Sequence, residues 1–173
     1  MTTWKIDPAH SQVQFSVKHM MISTVRGHFD QFEADATINP ADISQSKVTA
    51  KVQAASIQTG EPQRDGHLKS PDFFDVETFP QLSLVSKKVK ADGEDLVVDV
   101  DLTIRDVTKP VQLKGEVQGP AKDPWGNQRV AFSLTGEINR EDFGLTWNQA
   151  LEAGGVLVGK KVKLHLEVQF VGS

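Results

Sequence analysis

Leu96-Val97-Val98-Asp99-Val100-Asp101-Leu102-Thr103-Ile104 decides the fold. Leu96, Val98, Val100, Leu102 and Ile104 share one parity, and the positions between them are mostly acidic or polar. A spacing of two puts the apolar set on one face of a strand and the polar set on the other. One dry and one wet face is the habit of antiparallel sheets. The same alternation recurs outward in both directions. Upstream it runs through Val13, Phe15 and Val17, then Val48, Ala50, Val52 and Ala54, then Leu82 and Leu84. Downstream it runs through Val111, Leu113, Gly115 and Val117, then Val130, Phe132, Leu134, Gly136 and Ile138, and last Val162, Leu164, Leu166, Val168 and Phe170.

One stretch keeps the pattern but changes phase. Val25, Gly27 and Phe29 share one parity; Phe32, Ala34, Ala36 and Ile38 share the other. A one-residue slip would turn the apolar set to the wrong face, so a bulge at Asp30-Gln31 is expected. With it the chain has about eight strands. Turn signals separate them at Asn39-Pro40, Asp92-Gly93, Lys109-Pro110, Pro124-Trp125-Gly126-Asn127 and Gly154-Gly155. A single segment leaves the β pattern. Pro62 to Lys69 reads as a short helix: Pro62 suits its first turn, and Ser70-Pro71 ends it. Gly66 weakens this helix by about 1 kcal/mol relative to Ala.

The 173 residues fit one domain over 1–173. No cysteine is present, which excludes disulfides, thiolate zinc sites and thiol catalysis. The net charge of −4 argues against non-specific binding to nucleic acid or to an anionic membrane surface. No apolar run is long enough for a membrane-spanning helix, and no leader pattern opens the chain. Taken as it stands, the chain reads as cytoplasmic; a leader already removed would make it periplasmic.

Eight antiparallel strands can close as a barrel or stack as a sandwich. An eight-stranded barrel is either filled by its own side chains or just wide enough for one small ligand. Ala50, Ala54, Gly115 and Gly136 sit at inward parity, where a filled core would carry larger residues. They either leave room for a ligand or mark bends in the strands.

No G-x-S-x-G, H-E-x-x-H or P-loop occurs, and no two of the five histidines have ligand spacing on one face, so neither a metal nor a cofactor is expected. His28 and His165 point outward. His19 shares the inward parity of its strand and ends it beside Met20 and Met21. It is either a ligand contact at a cavity mouth or a histidine bonded to backbone. Arg64, Asp65, His67 and Lys69 stand on the helix ahead of Phe73 and Phe74. They either receive a polar head while the aromatics cover its tail, or form a solvated helix tied to nearby loops.

These stretches resemble the YceI-like family. The resemblance rests on Trp4-Lys5-Ile6-Asp7-Pro8-Ala9-His10-Ser11 and on the segment from Phe15 to Phe29. It also rests on Ala55 to Gly60, Arg64 to Asp75, Leu102 to Val111 and Ile138 to Leu145. Two positions depart from the family's habit: Asp106 stands where glycine is usual, and Gly66 where a larger polar residue is common.

The resemblance implies an all-β, extended, eight-stranded antiparallel, lipocalin-like barrel with a short helix at residues 62–69. It implies a polyisoprenoid lipid ligand, an isoprenoid quinone or prenyl phosphate, with its tail in the lumen, and no enzymatic activity. The expected contacts are Phe15, Val17, Phe29, Phe132 and Leu134 along the tail, with Met20, Met21, Leu68, Phe73 and Phe74 near the mouth. The head would meet His19, Arg64, His67 or Lys69, with Arg140 a weaker candidate. The rival readings are a lipid-modifying enzyme with His19 or His67 as general base, and a scaffold protein with a filled barrel. A second copy of the chain stays open as a partner.

Overall fold

The computed structural model describes residues 2–148, 151 and 157–172. The Gly154-Gly155 turn expected from the sequence lies outside the described residues. Eleven strands form one sheet: β1 (Thr2–Ile6), β2 (Gln12–His19), β3 (Ser23–Phe29), β4 (Phe32–Ile38), β5 (Lys47–Gln53), β6 (Ile57–Gln58), β7 (Gln81–Asp92), β8 (Asp95–Ile104), β9 (Val107–Lys122), β10 (Gln128–Asn139) and β11 (Val158–Gly172). The one α-helix among the described residues, α1, spans Pro62–Lys69, as the sequence predicts.

The sheet closes on itself. Around one end the order is β1-β4-β5-β7-β8-β9-β10-β11, and β11 returns to β1 with Trp4 opposite Gly172. Every pairing is antiparallel. The result is a lipocalin-like, eight-stranded barrel, because β1 with β2, β3 with β4, and β5 with β6 are each one wall strand broken in the middle. The break in the second pair falls at Asp30-Gln31, where the phase of the alternation changes. The other two breaks are single 3-10 turns at Pro8–His10 and Ala54–Ser56. Asp7 starts the first by accepting the amide of Ala9 at 3.1 Å.

Alternation carries straight through to burial. In β8, Leu96, Val98, Val100, Leu102 and Ile104 are all buried, and the residues between them are half-exposed. Two apolar layers stack along the barrel. One gathers Trp4, Ile38, Leu96, Leu113, Val130 and Phe170; the other gathers Phe29, Ile57, Ile104, Ile138, Phe143 and Leu145. For convenience these are the lower and upper ends.

At the upper end the wall is irregular. β6 pairs β3 only at His28 and Phe29. Helix α1 and the segment after it stand beside this part, and Phe74 packs edge-on against Phe29 at 5.9 Å between ring centres. Glu61 caps α1 by accepting the amide of Arg64. Gly66 is exposed, and a Cβ there would meet nothing within 4 Å.

Two of the small inward residues do a different job from the one their size suggested. A Cβ on Gly115 would strike the carbonyl oxygen of Ser133 on β10. One on Gly136 would lie 2.6 Å from the Leu113 side chain. Both glycines permit close approach of neighbouring strands, so neither provides room inside. Ala54 is buried in the 3-10 turn.

Candidate ligand cavity

A cavity of about 240 Å³ runs inside the barrel. It touches both apolar layers, from Ile43, Leu96 and Phe170 below to Ile104, Phe73 and Leu145 above. Along β8 its lining extends from Leu96 to Ile104, or about 26 Å of strand at ~3.3 Å per residue. The volume is small against that length, so the space suits a slender chain better than a globular ligand. Room comes from Ala34 and Ala50, which face each other across the β4–β5 ladder and both line the cavity.

The expected tail contacts Phe15, Val17, Phe29, Phe132 and Leu134 all line it. From the helix side Leu68, Phe73 and Phe74 do so too. Phe29 connects the two groups, with Phe15 5.7 Å away and Phe74 5.9 Å away.

The expected polar contacts stand elsewhere. The Arg64 guanidinium donates to the Thr59 hydroxyl and to the Thr59 carbonyl, both at 2.8 Å. Buried Asp65 accepts from the amide and the hydroxyl of the same Thr59. Arg64 and Asp65 thus fasten α1 to Thr59, the residue that follows β6. His67 places Nε2 2.9 Å from an Asp72 carboxylate oxygen, and its ring sits edge-on against Phe73 and Trp147. Lys69 is half-buried in the last turn of α1. His19 ends β2 opposite Ser23, and its carbonyl accepts the Ser23 hydroxyl at 3.0 Å. None of Arg64, His67, Lys69 and His19 lines the cavity, and neither do Met20 and Met21.

Two charged residues border it: Glu33, exposed on β4, and Arg140, only 3% exposed. The position of Arg140 is fixed locally. Asn139 caps a 3-10 turn at Arg140–Phe143 by accepting the amide of Glu141. Gly144 then ends the turn at φ +83°, a left-handed conformation that glycine adopts without steric cost. The guanidinium donates to four backbone carbonyls: Leu145 at 2.6 Å, Gly159 at 2.8 Å, Trp147 at 2.9 Å and Val158 at 3.3 Å. Its plane also stands 5.9 Å from the Phe73 ring. Burial pulls its pKa down, and Glu141 opposes this. Of the guanidinium's five N–H donors, the carbonyls take four. Among the described residues no carboxylate forms an ion pair with it. The upper end of the largely apolar cavity therefore carries a buried positive charge that no carboxylate among the described residues meets in an ion pair.

Among the described residues no group of three or more His, Cys, Asp or Glu is placed to hold a metal ion. No helix among them is long and apolar enough to cross a membrane.

The YceI-like domain matches residues 4–170. The chain belongs to the YceI-like family. A UPF0312 protein of Staphylococcus aureus strain MSSA476 is similar to it at 42% identity over 98% of each chain. Among solved structures, a Campylobacter jejuni YCEI protein is 33% identical, with a TM-score of 0.76 over 88% of this chain and 87% of that one. Burkholderia cenocepacia BcnA shares the barrel at a TM-score of 0.82 and 23% identity, covering 95% of this chain and 98% of that one. A polyisoprenoid binding domain from Saccharophagus degradans, implicated in plant cell wall breakdown, shares it at 0.73 and 15% identity over the whole of both chains. This YceI-like chain thus shares its barrel with these solved structures.

Of the residues expected from the sequence, Phe15, Val17, Phe29, Leu68, Phe73, Phe74, Phe132, Leu134 and Arg140 line the cavity, whereas His19, Met20, Met21, Arg64, His67 and Lys69 do not. Arg140 follows directly on the last residue of β10 and precedes two acids, the pattern of an ordinary exposed turn. Its burial depends on carbonyls from Leu145, Trp147, Val158 and Gly159, which no local pattern brings together.

Proposed function

We propose that this chain binds an elongated isoprenoid lipid in its lumen and acts as a carrier or store for it, not as an enzyme. The observation that carries the reading is the shape and chemistry of the cavity: long, narrow, apolar and closed by an antiparallel wall. Apolar tail surface removed from water contributes roughly 25 cal/mol per Å², so the lining can supply most of the affinity. The polyisoprenoid-binding neighbour supports the choice of tail.

The head belongs at the upper end, near Arg140. Four of its N–H groups are spent on carbonyls, which leaves one Nη2 donor and the net charge for a ligand oxygen. A prenyl phosphate or a quinone carbonyl can accept there. The enzyme reading lacks a base in the right place: His67 is held by Asp72, and neither His67 nor His19 lines the cavity.

The test is mass spectrometry of organic extracts from protein purified without detergent. A stoichiometric polyprenyl species is the expected result. Extracts with no lipid, from protein that also fails to take up a polyprenyl phosphate or a quinone, would refute the proposal.

A further inference from the structure

The hairpin tip between β2 and β3 breaks two local rules at once. Met20, Met21 and Ile22 are 46%, 58% and 85% exposed, three large apolar side chains in a row. Met20 and Met21 also adopt φ of +53° and +63°, the left-handed region where Gly, Asn and Asp are the usual residues. A turn built only for stability would place Asn-Gly there. Local rules broken without local gain mark positions that serve something outside the fold. The tip stands at the upper end of the barrel: His19 pairs Val158, whose carbonyl accepts from Arg140.

Beside the tip the charge is one-sided. From Ser11 to Phe29 the chain has no Asp or Glu, and from Leu157 to Leu166 it has none either. Lys18, Arg26, Lys160, Lys161 and Lys163 are all exposed in these stretches. Lys163, Ser16 and Arg26 stand opposite one another across β11, β2 and β3. Together with His28 and His165 they surround a shallow depression on the outer wall. Carboxylates border this flank: Glu137 stands 3.6 Å from Lys161, Glu141 3.7 Å from Lys160, Asp30 2.9 Å from His28 and Glu167 3.1 Å from His165, while Lys18, Arg26 and Lys163 form no such pair among the described residues. The overall charge of −4 conceals this local excess.

We infer that the Met20–Ile22 tip and its basic flank dock the upper end of the barrel on an anionic phospholipid surface. Apolar side chains enter the interface while lysine and arginine meet the phosphates, the combination that holds proteins on membrane surfaces. Docking would bring the end of the barrel that carries Arg140 close to the membrane. That consequence rests on the lipid-carrier reading; the docking itself does not.

Flotation with vesicles of phosphatidylcholine, with and without phosphatidylglycerol, tests it. The protein should float with the anionic vesicles about tenfold more strongly or better, and added salt should erase the difference. The triple variant Met20→Asn, Met21→Gly, Ile22→Ser gives the turn its preferred residues, so it should melt no lower than the parent. It should also lose about tenfold or more in vesicle binding. The pair Lys161→Gln and Lys163→Gln should reduce the preference for the anionic vesicles alone. A parent that fails to float, or a folded tip variant that floats equally well, overturns the inference. So does sedimentation in which the parent is a dimer and the tip variant a monomer, because the tip would then be a contact between copies. None of these readouts needs cargo, so their failure is separable from an empty lipid extract.

Discussion

Ala50→Leu separates a vacant lumen from a filled one. Ala50 faces Ala34 across β4 and β5, and both border the cavity. Leucine adds three carbon atoms at this point. Each buried methylene contributes about 0.8 kcal/mol, so the empty barrel should gain up to about 2 kcal/mol if the new atoms enter free space. The same atoms displace about three methylenes of a bound tail. The loss for the ligand is then about 2.4 kcal/mol, or roughly fiftyfold in affinity. The two effects have opposite signs, which makes the experiment decisive. Melting of lipid-free protein measures the first, and titration with a polyprenyl phosphate measures the second. Overpacking a solid core costs about 1–3 kcal/mol instead. A variant that melts lower when lipid-free would show that the space at Ala50 is already occupied. Unchanged affinity in a variant that melts higher would show that the tail does not pass this point.

Gly66→Ala should stabilise the protein by about 1 kcal/mol and raise the Tm by about 2–4 °C, because the site is exposed and open; a lower Tm would contradict the open site. Arg64→Gln should weaken a phosphorylated and a neutral isoprenoid alike and lower the Tm, because Arg64 fastens α1 to Thr59; selective loss of the phosphorylated ligand at constant Tm would make it a head-group contact. At the lower end Arg129 bonds Asp7 at 2.7 Å and Asp123 at 2.9 Å. Hydrogen bonds from Arg129 and then His10 hold the Asp7 carboxyl below its ordinary value; for Asp123 burial pushes up, but Arg129 and two backbone amides outweigh it. Depressed carboxylates stabilise the fold above their unfolded pKa, and that contribution is lost as pH falls through the folded value. Arg129→Met should therefore cost stability at neutral pH, and the deficit should shrink in denaturant titrations below about pH 4. A deficit unchanged there would refute the ion-pair account.

How much of this was legible in the sequence follows from how locally each feature is determined. The walls were, because side-chain alternation in a strand depends only on parity. The break at Asp30-Gln31 was, because a phase change leaves the register no other solution. The helix at Pro62–Lys69 was, since Pro62 and Ser70-Pro71 bound it on both sides. The glycines were not: whether Gly115 makes space or permits contact depends on Ser133, which belongs to another strand. β1 escaped notice because five residues show too short an alternation. His19 has inward parity, yet it does not line the cavity, although Val158 opposite it does. Met20 and Met21 read as contacts near the cavity mouth because apolar residues suggest burial, and the closed barrel shows them exposed and outside the lining.

The seam made by β11 has a consequence for how the barrel assembles. β3 and β5 to β10 pair with strands near them in the chain, so those ladders close short loops. β11 instead joins β10 to β1 and β2, and Trp4 meets Gly172 across almost the entire chain. Contacts so remote in sequence form late, since the entropy of closing the intervening chain opposes them until other structure has shortened the gap. Until β11 pairs with β1 and β2 the sheet has an open seam, and no enclosed lumen can exist. A ligand tail laid on the sheet's apolar face would be surrounded as the seam closes, without passing through the narrow end of a finished barrel. The Trp4 indole rests against Gly172, where even a Cβ would come within 2.7 Å of the ring. That tryptophan therefore sits where its fluorescence would time the closure.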